Sequence, residues 1–160
     1  MVTSDLSSER IQTFANDDDV NVYLAVYGPT CVHRNFTMGK ANWGEESPWW
    51  VECIHCEDCG EDLLYRNLED PVPAYSPIDA SRRYIPCYSR EPLLKAQLRR
   101  SLEAKGWRVV HMRNGATITC TIERDGVSAT SESFSTEEAS IARAIALLYS
   151  RGLLRERLGR

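Results

Sequence analysis

Trp107-Arg108-Val109-Val110-His111-Met112-Arg113-Asn114-Gly115-Ala116-Thr117-Ile118-Thr119-Cys120-Thr121-Ile122 is the stretch that decides the fold. Trp107, Val109 and His111 alternate with Arg108, Val110 and Met112, the period of a strand with one buried face. Asn114-Gly115 offers the positive backbone angles of a two-residue hairpin turn, and the β-branched run 117–122 returns as a second strand. Asp125-Gly126 marks another turn, and 127–134 reads as a weaker third strand.

Working outward, each side of this meander carries an amphipathic helix. Upstream, Ser89 is placed to cap a helix with Glu91 and Pro92 in its first turn; Leu94, Leu98 and Leu102 follow at i, i+4, i+8, and Gly106 ends it. Downstream, Ser135-Thr136-Glu137-Glu138 has the form of a capping box, and Ile141, Ala142, Ile145, Leu148 and Tyr149 make an apolar stripe that stops near Gly152. The expectation for 89–152 is an α-β-β-β-α domain of α+β class, with both helices on one face of a three-stranded antiparallel sheet and a basic tail at 153–160. Leu94, Leu98, Leu102, Trp107, Val109, Ile118, Ile141, Ile145 and Leu148 are its expected core.

The chemical signal lies upstream, at 31–65. Cys31-Val32-His33 is followed, across a stretch holding Trp43, Trp49 and Trp50, by Cys53-Ile54-His55-Cys56-Glu57-Asp58-Cys59-Gly60. A tetrahedral zinc site uses four donors, usually as two close pairs joined by one loop. Cys56-x-x-Cys59-Gly60 is the sharper pair, because glycine after the second cysteine permits a tight turn that aims backbone N–H groups at sulfur. Cys31 and His33 are the expected partners, which makes a zinc-ribbon-like module with a structural Zn²⁺. Cys53 has ligand spacing to Cys56 and is the alternative to His33. Acidic neighbours argue against a redox pair, since they would raise a thiol pKa. Cys87 and Cys120 stand alone and read as unliganded thiols.

Composition bounds the rest. The chain has 160 residues, 42% hydrophobic and 26% charged, enough for one core or two small ones. Its N-terminus lacks the pattern of a signal peptide and no apolar run is long enough for a bilayer, so a soluble, cytoplasmic protein with no membrane partner is expected. Residues 1–30 read as a helical segment, with 17–27 leaning to helix between Asp17-Asp18-Asp19 and Gly28-Pro29. Residues 66–88 hold four prolines and read as a connection. Residues 1–80 carry four basic against fifteen acidic side chains, and 81–160 carry fifteen against eight. There is no Gly-rich phosphate loop and no Ser/His/Asp set with usable spacing, which points away from an enzyme.

Two resemblances bear on function. The succession Cys-x-His, Trp-containing stretch, Cys-x-x-Cys-Gly, Ile85-Pro86-Cys87-Tyr88-Ser89, then Lys105-Gly106-Trp107 and an Ala-rich last helix resembles small phage proteins with the phage "ABA sandwich" domain. It retains only Pro86, Tyr88 and Ser89 of that family's pattern before the helix. The resemblance implies a phage or prophage product at work in the host cytoplasm. The α-β-β-β-α order is also that of double-stranded RNA-binding domains, but those place lysines where this chain has Thr136, Glu137 and Glu138, and carboxylates there repel phosphate. The expected function is a non-enzymatic binding protein that meets a host or phage protein, as a host-takeover or counter-defence inhibitor. Its expected surface is acidic, made by Glu57, Asp58, Glu61 and Asp62 with Trp43, Trp49 and Trp50 as anchors. The alternative is a nucleic-acid-binding zinc protein that uses the Arg-rich C-terminal half.

Overall fold

The structure is a computed structural model that describes residues 14–43, 49–67, 82 and 85–159, with the backbone alone at 40–43, 49–53 and 62–67. Of the helical segment expected at 1–30, residues 1–13 lie outside the described residues. The chain forms two compact units, one of residues 31–84 with 1–14 and the other of 15–30 with 85–160. This division is not linear along the chain, because the helix before the cysteine cluster belongs with the C-terminal half.

The second unit contains helix α1 (Asp17–Tyr27), helix α2 (Pro92–Ala104), strands β4 (Arg108–Asn114), β5 (Thr117–Arg124) and β6 (Val127–Thr130), and helix α3 (Glu137–Ser150). The strands form an antiparallel meander in the order β4-β5-β6, with Asn114 opposite Thr117 across the Asn-Gly turn. A single bridge from Ile118 to Phe134 extends the third strand beyond Thr130. Along β5, Ile118, Cys120 and Ile122 are buried, while the threonines between them are not. Cys120 and Ile122 share one core with Leu98 and Leu102 of α2 and with Ile141, Ile145 and Leu148 of α3, so both helices cover the same sheet face. On the other face Thr121 and Thr130 hydrogen-bond through their hydroxyls at 2.9 Å. The mixed helix-and-sheet class and the three-stranded antiparallel sheet stand as expected. All nine expected core residues are buried except Leu94, which is half-buried.

Three local expectations are corrected. Ser89 does not cap α2, whose N-cap is Glu91 with no side-chain hydrogen bond. Instead Ser89 is buried and donates its N–H and hydroxyl to Asp19, at 2.7 and 3.1 Å. Asp19 is fully buried and also accepts the Asn16 N–H, while Asn16 accepts the Asp19 N–H; this reciprocal box caps α1, which spans the expected 17–27, with Asn16 instead of the Asp17–Asp19 run. At α3 the cap is Thr136, not Ser135, because it is the Thr136 hydroxyl that accepts the Ala139 N–H.

The basic tail is not loose. The Leu158 and Gly159 N–H groups donate to the Ala25 and Val26 carbonyls, two of the four that the end of α1 leaves without helical partners, and the Leu158 side chain enters the core. A Cβ on Gly28 would meet the Arg157 guanidinium at 2.3 Å, so Gly28 both turns the chain at φ +80° and makes room for the tail.

The first unit has a second three-stranded antiparallel meander of β1 (Phe36–Trp43), β2 (Trp49–Cys56) and β3 (Asp62–Asn67). These strands were not anticipated, and β3 runs into the stretch read as a Pro-rich connection. A register shift between Glu52 and Cys53 marks a bulge in the β2–β3 pairing. Phe36 pairs with Cys56, so residues 31–35 enter the sheet beside the β2–β3 turn.

Candidate metal centre

That register brings the two halves of the cysteine cluster together at one end of the first sheet. Cys56 is the last residue of β2, Cys59 lies in the turn to β3, and Cys31 and His33 sit just before β1. The Glu57 N–H donates to the Asn35 carbonyl at 2.9 Å, stitching the approach segment to the turn. The turn closes with the Gly60 N–H on the Cys56 carbonyl at 2.9 Å, and Gly60 has φ +74°, the left-handed region where glycine is strain-free. His33 also has a positive φ, +54°, which turns the backbone so that the His33 N–H donates to the Cys31 sulfur at 3.4 Å.

The Cys31, His33, Cys56 and Cys59 donor atoms all lie within 4.8 Å of one another and could hold a metal ion. Cys31 Sγ is 3.4 Å from Cys56 Sγ, and His33 Nδ1 is 3.6 Å from both Cys31 Sγ and Cys59 Sγ. None of these thiols is in a disulfide. Cys56 is buried, Cys31 and His33 are half-buried and Cys59 is exposed. The hydrogen bond with His33 is the largest influence on Cys56. Against the opposing effect of burial, and with help from the Cys59 N–H, the Cys31 thiol and the Asp58 N–H, it brings the Cys56 thiol down to about 6. Burial pushes Cys31 up to about 11, the His33 N–H opposing and the neighbouring thiols adding to the rise. The cluster therefore keeps one sulfur ready to ligate and holds another as a thiol whose proton a metal must displace.

His33 Nε2, the ring nitrogen turned from the sulfurs, faces Glu61 Oε2 at 3.8 Å. Glu61 thus lies behind the ligand as well as at the surface, a relation its place in the sequence does not reveal. Asn35 was also missed: besides its carbonyl contact, its amide donates to both Asp58 carboxylate oxygens, at 3.3 and 3.1 Å. Glu57 accepts the Thr37 hydroxyl at 3.1 Å. Glu57, Asp58 and Glu61 are exposed, and Asp62 opens β3 with its side chain outside the described residues.

Cys53 stands opposite Gly39 in the β1–β2 register, and its side chain is outside the description, so its role as alternative ligand is left there. The tryptophans do not share a loop. Trp43 ends β1 and pairs with Trp49, and Trp50 pairs with Asn42, so all three belong to strand ends. Their side chains also lie outside the description. Cys120 is fully buried, which pushes its thiol up to about 12, and Cys87 is half-buried with its thiol raised by burial.

Several basic side chains of the Arg-rich C-terminal half are paired inside the second unit. Lys95 bridges Glu137 and Glu138 at the start of α3, each at 3.1 Å, and Arg99 pairs with Glu103 at 2.9 Å. Arg143 pairs with Asp18 and Glu132, and Arg124 with Glu156.

Among the described residues no helix is long and apolar enough to cross a membrane. No family model matches the chain, and no curated protein matches it. The solved structures that resemble it include the solution structure of both double-stranded RNA-binding domains of DRB4 with their linker. That likeness has 11% identity over 72% of this chain and 83% of that chain, and its TM-score of 0.26 is too low to speak for a shared fold or function.

Proposed function

We propose that this protein is a non-enzymatic binding protein whose zinc-held turn presents an acidic surface to a basic protein partner. The observation that carries the reading is the spacing of the four donors. Zinc bonds of about 2.3 Å to sulfur and about 2.0 Å to nitrogen give tetrahedral edges of about 3.8 Å between sulfurs and about 3.5 Å from sulfur to nitrogen. The 3.4 and 3.6 Å separations in the structure lie close to those edges. Three sulfurs and one imidazole fill a closed coordination shell, the arrangement of a structural ion in a zinc-ribbon-like module. Bound there, zinc supplies a cross-link between the approach segment and the β2–β3 turn.

Glu57 and Asp58 project from that same turn, and their named partners, Thr37 and Asn35, are uncharged and orient the carboxylates without cancelling them. A fixed pair of exposed negative charges steers a positively charged partner and sets its register. With the phage resemblance, this supports a phage-encoded inhibitor that occupies a basic face of a host protein in takeover or counter-defence. The nucleic-acid alternative is less well supported because Lys95 and Arg99 are already paired. Affinity capture from bacterial lysate, with and without nuclease, supplies the partner. Glu57→Lys/Asp58→Lys is expected to abolish capture with one zinc per chain retained, and Arg99→Glu/Arg100→Glu to leave it intact. The opposite result, or capture lost on nuclease treatment, overturns the reading.

A further inference from the structure

The second unit contains a cavity that none of the chemistry above uses. It has a volume of about 320 Å³ and lies where the end of α1, the turn before α2, one face of α2 and the C-terminal tail meet. On α2 it is bordered by Leu94, Gln97, Leu98 and Ser101, the i, i+3, i+4, i+7 positions of one stripe. Two of those four positions are polar. Tyr27 and Tyr88 flank it, and Gly159 forms its tail side, where a Cβ would meet Val26 Cγ1 at 2.8 Å and the Val26 carbonyl at 3.0 Å. The space persists because the residues that converge on it, Pro86, Ser101 and Gly159, are too small to fill it.

We propose that this cavity is a binding site for an uncharged aromatic ring of one or two fused rings with a hydrogen-bonding edge. Among the described residues no charged side chain lines it, in a chain that is 26% charged, so a phosphate, carboxylate or ammonium group would find no partner among them there. Apolar walls with a few convergent polar groups are the pattern of small-ligand sites, and this volume stands at the lower end of their range of roughly 300–1,000 Å³, which limits the occupant to a small ring system. The Gln97 amide and the Ser101 hydroxyl can each donate and accept, and so can read a ring edge. Tyr88 is buried and hydrogen-bonded with Tyr27, and burial raises its pKa, which keeps the phenol protonated. Tyr27 is 54% exposed, leaving ring surface at the rim for an aromatic to cover.

The ring could come from a free heterocycle or from an aromatic side chain of a protein partner, and two probes separate these sources. Full-length protein is titrated with indole and with N-acetyltryptophan amide, following amide NMR shifts. Saturable shifts at Tyr88, Leu98 and Ser101 with indole alone support a free ring; shifts with both support a side chain. Indole-3-carboxylate, equal in ring but charged, is expected to bind at least tenfold more weakly. Ser101→Leu, which fills the cavity, is expected to remove the shifts, and Gln97→Ala, at an exposed position outside the core, to weaken them severalfold. No saturable shift with indole overturns the proposal. So does equal binding of the carboxylate, or unchanged binding in both variants.

Discussion

Asp19 is a carboxylate with no exposed surface, and burial raises its pKa in spite of the hydrogen bonds that oppose the rise. It is kept because it satisfies three donors at once: the Asn16 N–H, the Ser89 N–H and the Ser89 hydroxyl. Asp19→Ala would strand these donors in the interior, and a loss on the order of 3 kcal/mol in denaturant unfolding is expected. This contact spans 70 residues of sequence, which is why a local reading assigned Ser89 to the nearer helix. His111 makes the complementary case. Both its ring nitrogens are buried, and burial foremost, with Arg99 and Lys95 adding and the charge and backbone of Glu137 opposing, lowers its pKa below 6.5. The unfolded chain therefore takes up the proton first, and stability is lost as pH falls through 6.5 toward the folded value. His111→Gln is expected to flatten that part of the stability profile; an unchanged slope between pH 6.5 and 5 would remove His111 as its source. Glu137, whose pKa is lowered first by Lys95, adds its own loss only below 4.5.

At the scale of elements, legibility followed how local the determinants were. The hairpin at Asn114-Gly115 and the leucine stripe of α2 are written within a few residues of themselves, so period and turn chemistry sufficed. The strands of the first unit carry Gly39, Lys40, Asn42 and Glu52 and lack an alternating apolar pattern, so nothing in their sequence competed with the cysteine spacing for attention. The metal pairs were legible because chelate spacing is itself local, whereas Glu61 behind His33 depends on how the turn folds back. Leu98→Ala and Ile145→Ala, each in the shared core, are expected to cost about 2–5 kcal/mol. The tail offers a sharper test. Truncation after Glu156 removes the Leu158 side chain, 2% exposed, together with the two N–H groups that end α1. A loss of about 3 kcal/mol is expected from the apolar burial and the capping together. A truncated chain as stable as the full one would show that the basic tail is only a solvated end.

Charge at the scale of the whole molecule changes meaning once the units are known. Cut at residue 80, the chain is strongly bipolar, but the folded units divide it differently. The unit of 31–84 with 1–14 carries six basic against twelve acidic side chains, and that of 15–30 with 85–160 carries thirteen against eleven. Asp17, Asp18 and Asp19 lie in the second unit, where Asp18 pairs with Arg143 and Asp19 is buried. The positive excess of the C-terminal half is thus small within its own folded unit, while the negative excess belongs to the unit that holds the cysteine cluster. The same partition predicts how the molecule answers metal removal. The cluster lies wholly in the first unit, whereas the core of Leu98, Leu102, Ile122, Ile141, Ile145 and Leu148 lies wholly in the second. A small module held by one ion loses its order with that ion, because metal-binding free energy is folding free energy there. Adding a strong chelator to the full chain, followed by amide NMR, is expected to collapse the signals of 31–61 while those of 92–150 keep their dispersion. Cys56→Ser should reproduce this without chelator, since it removes the buried sulfur of the cluster. Loss of dispersion in both units together would show that the metal supports the whole chain, and retention in both would show that the cluster does not need an ion to fold.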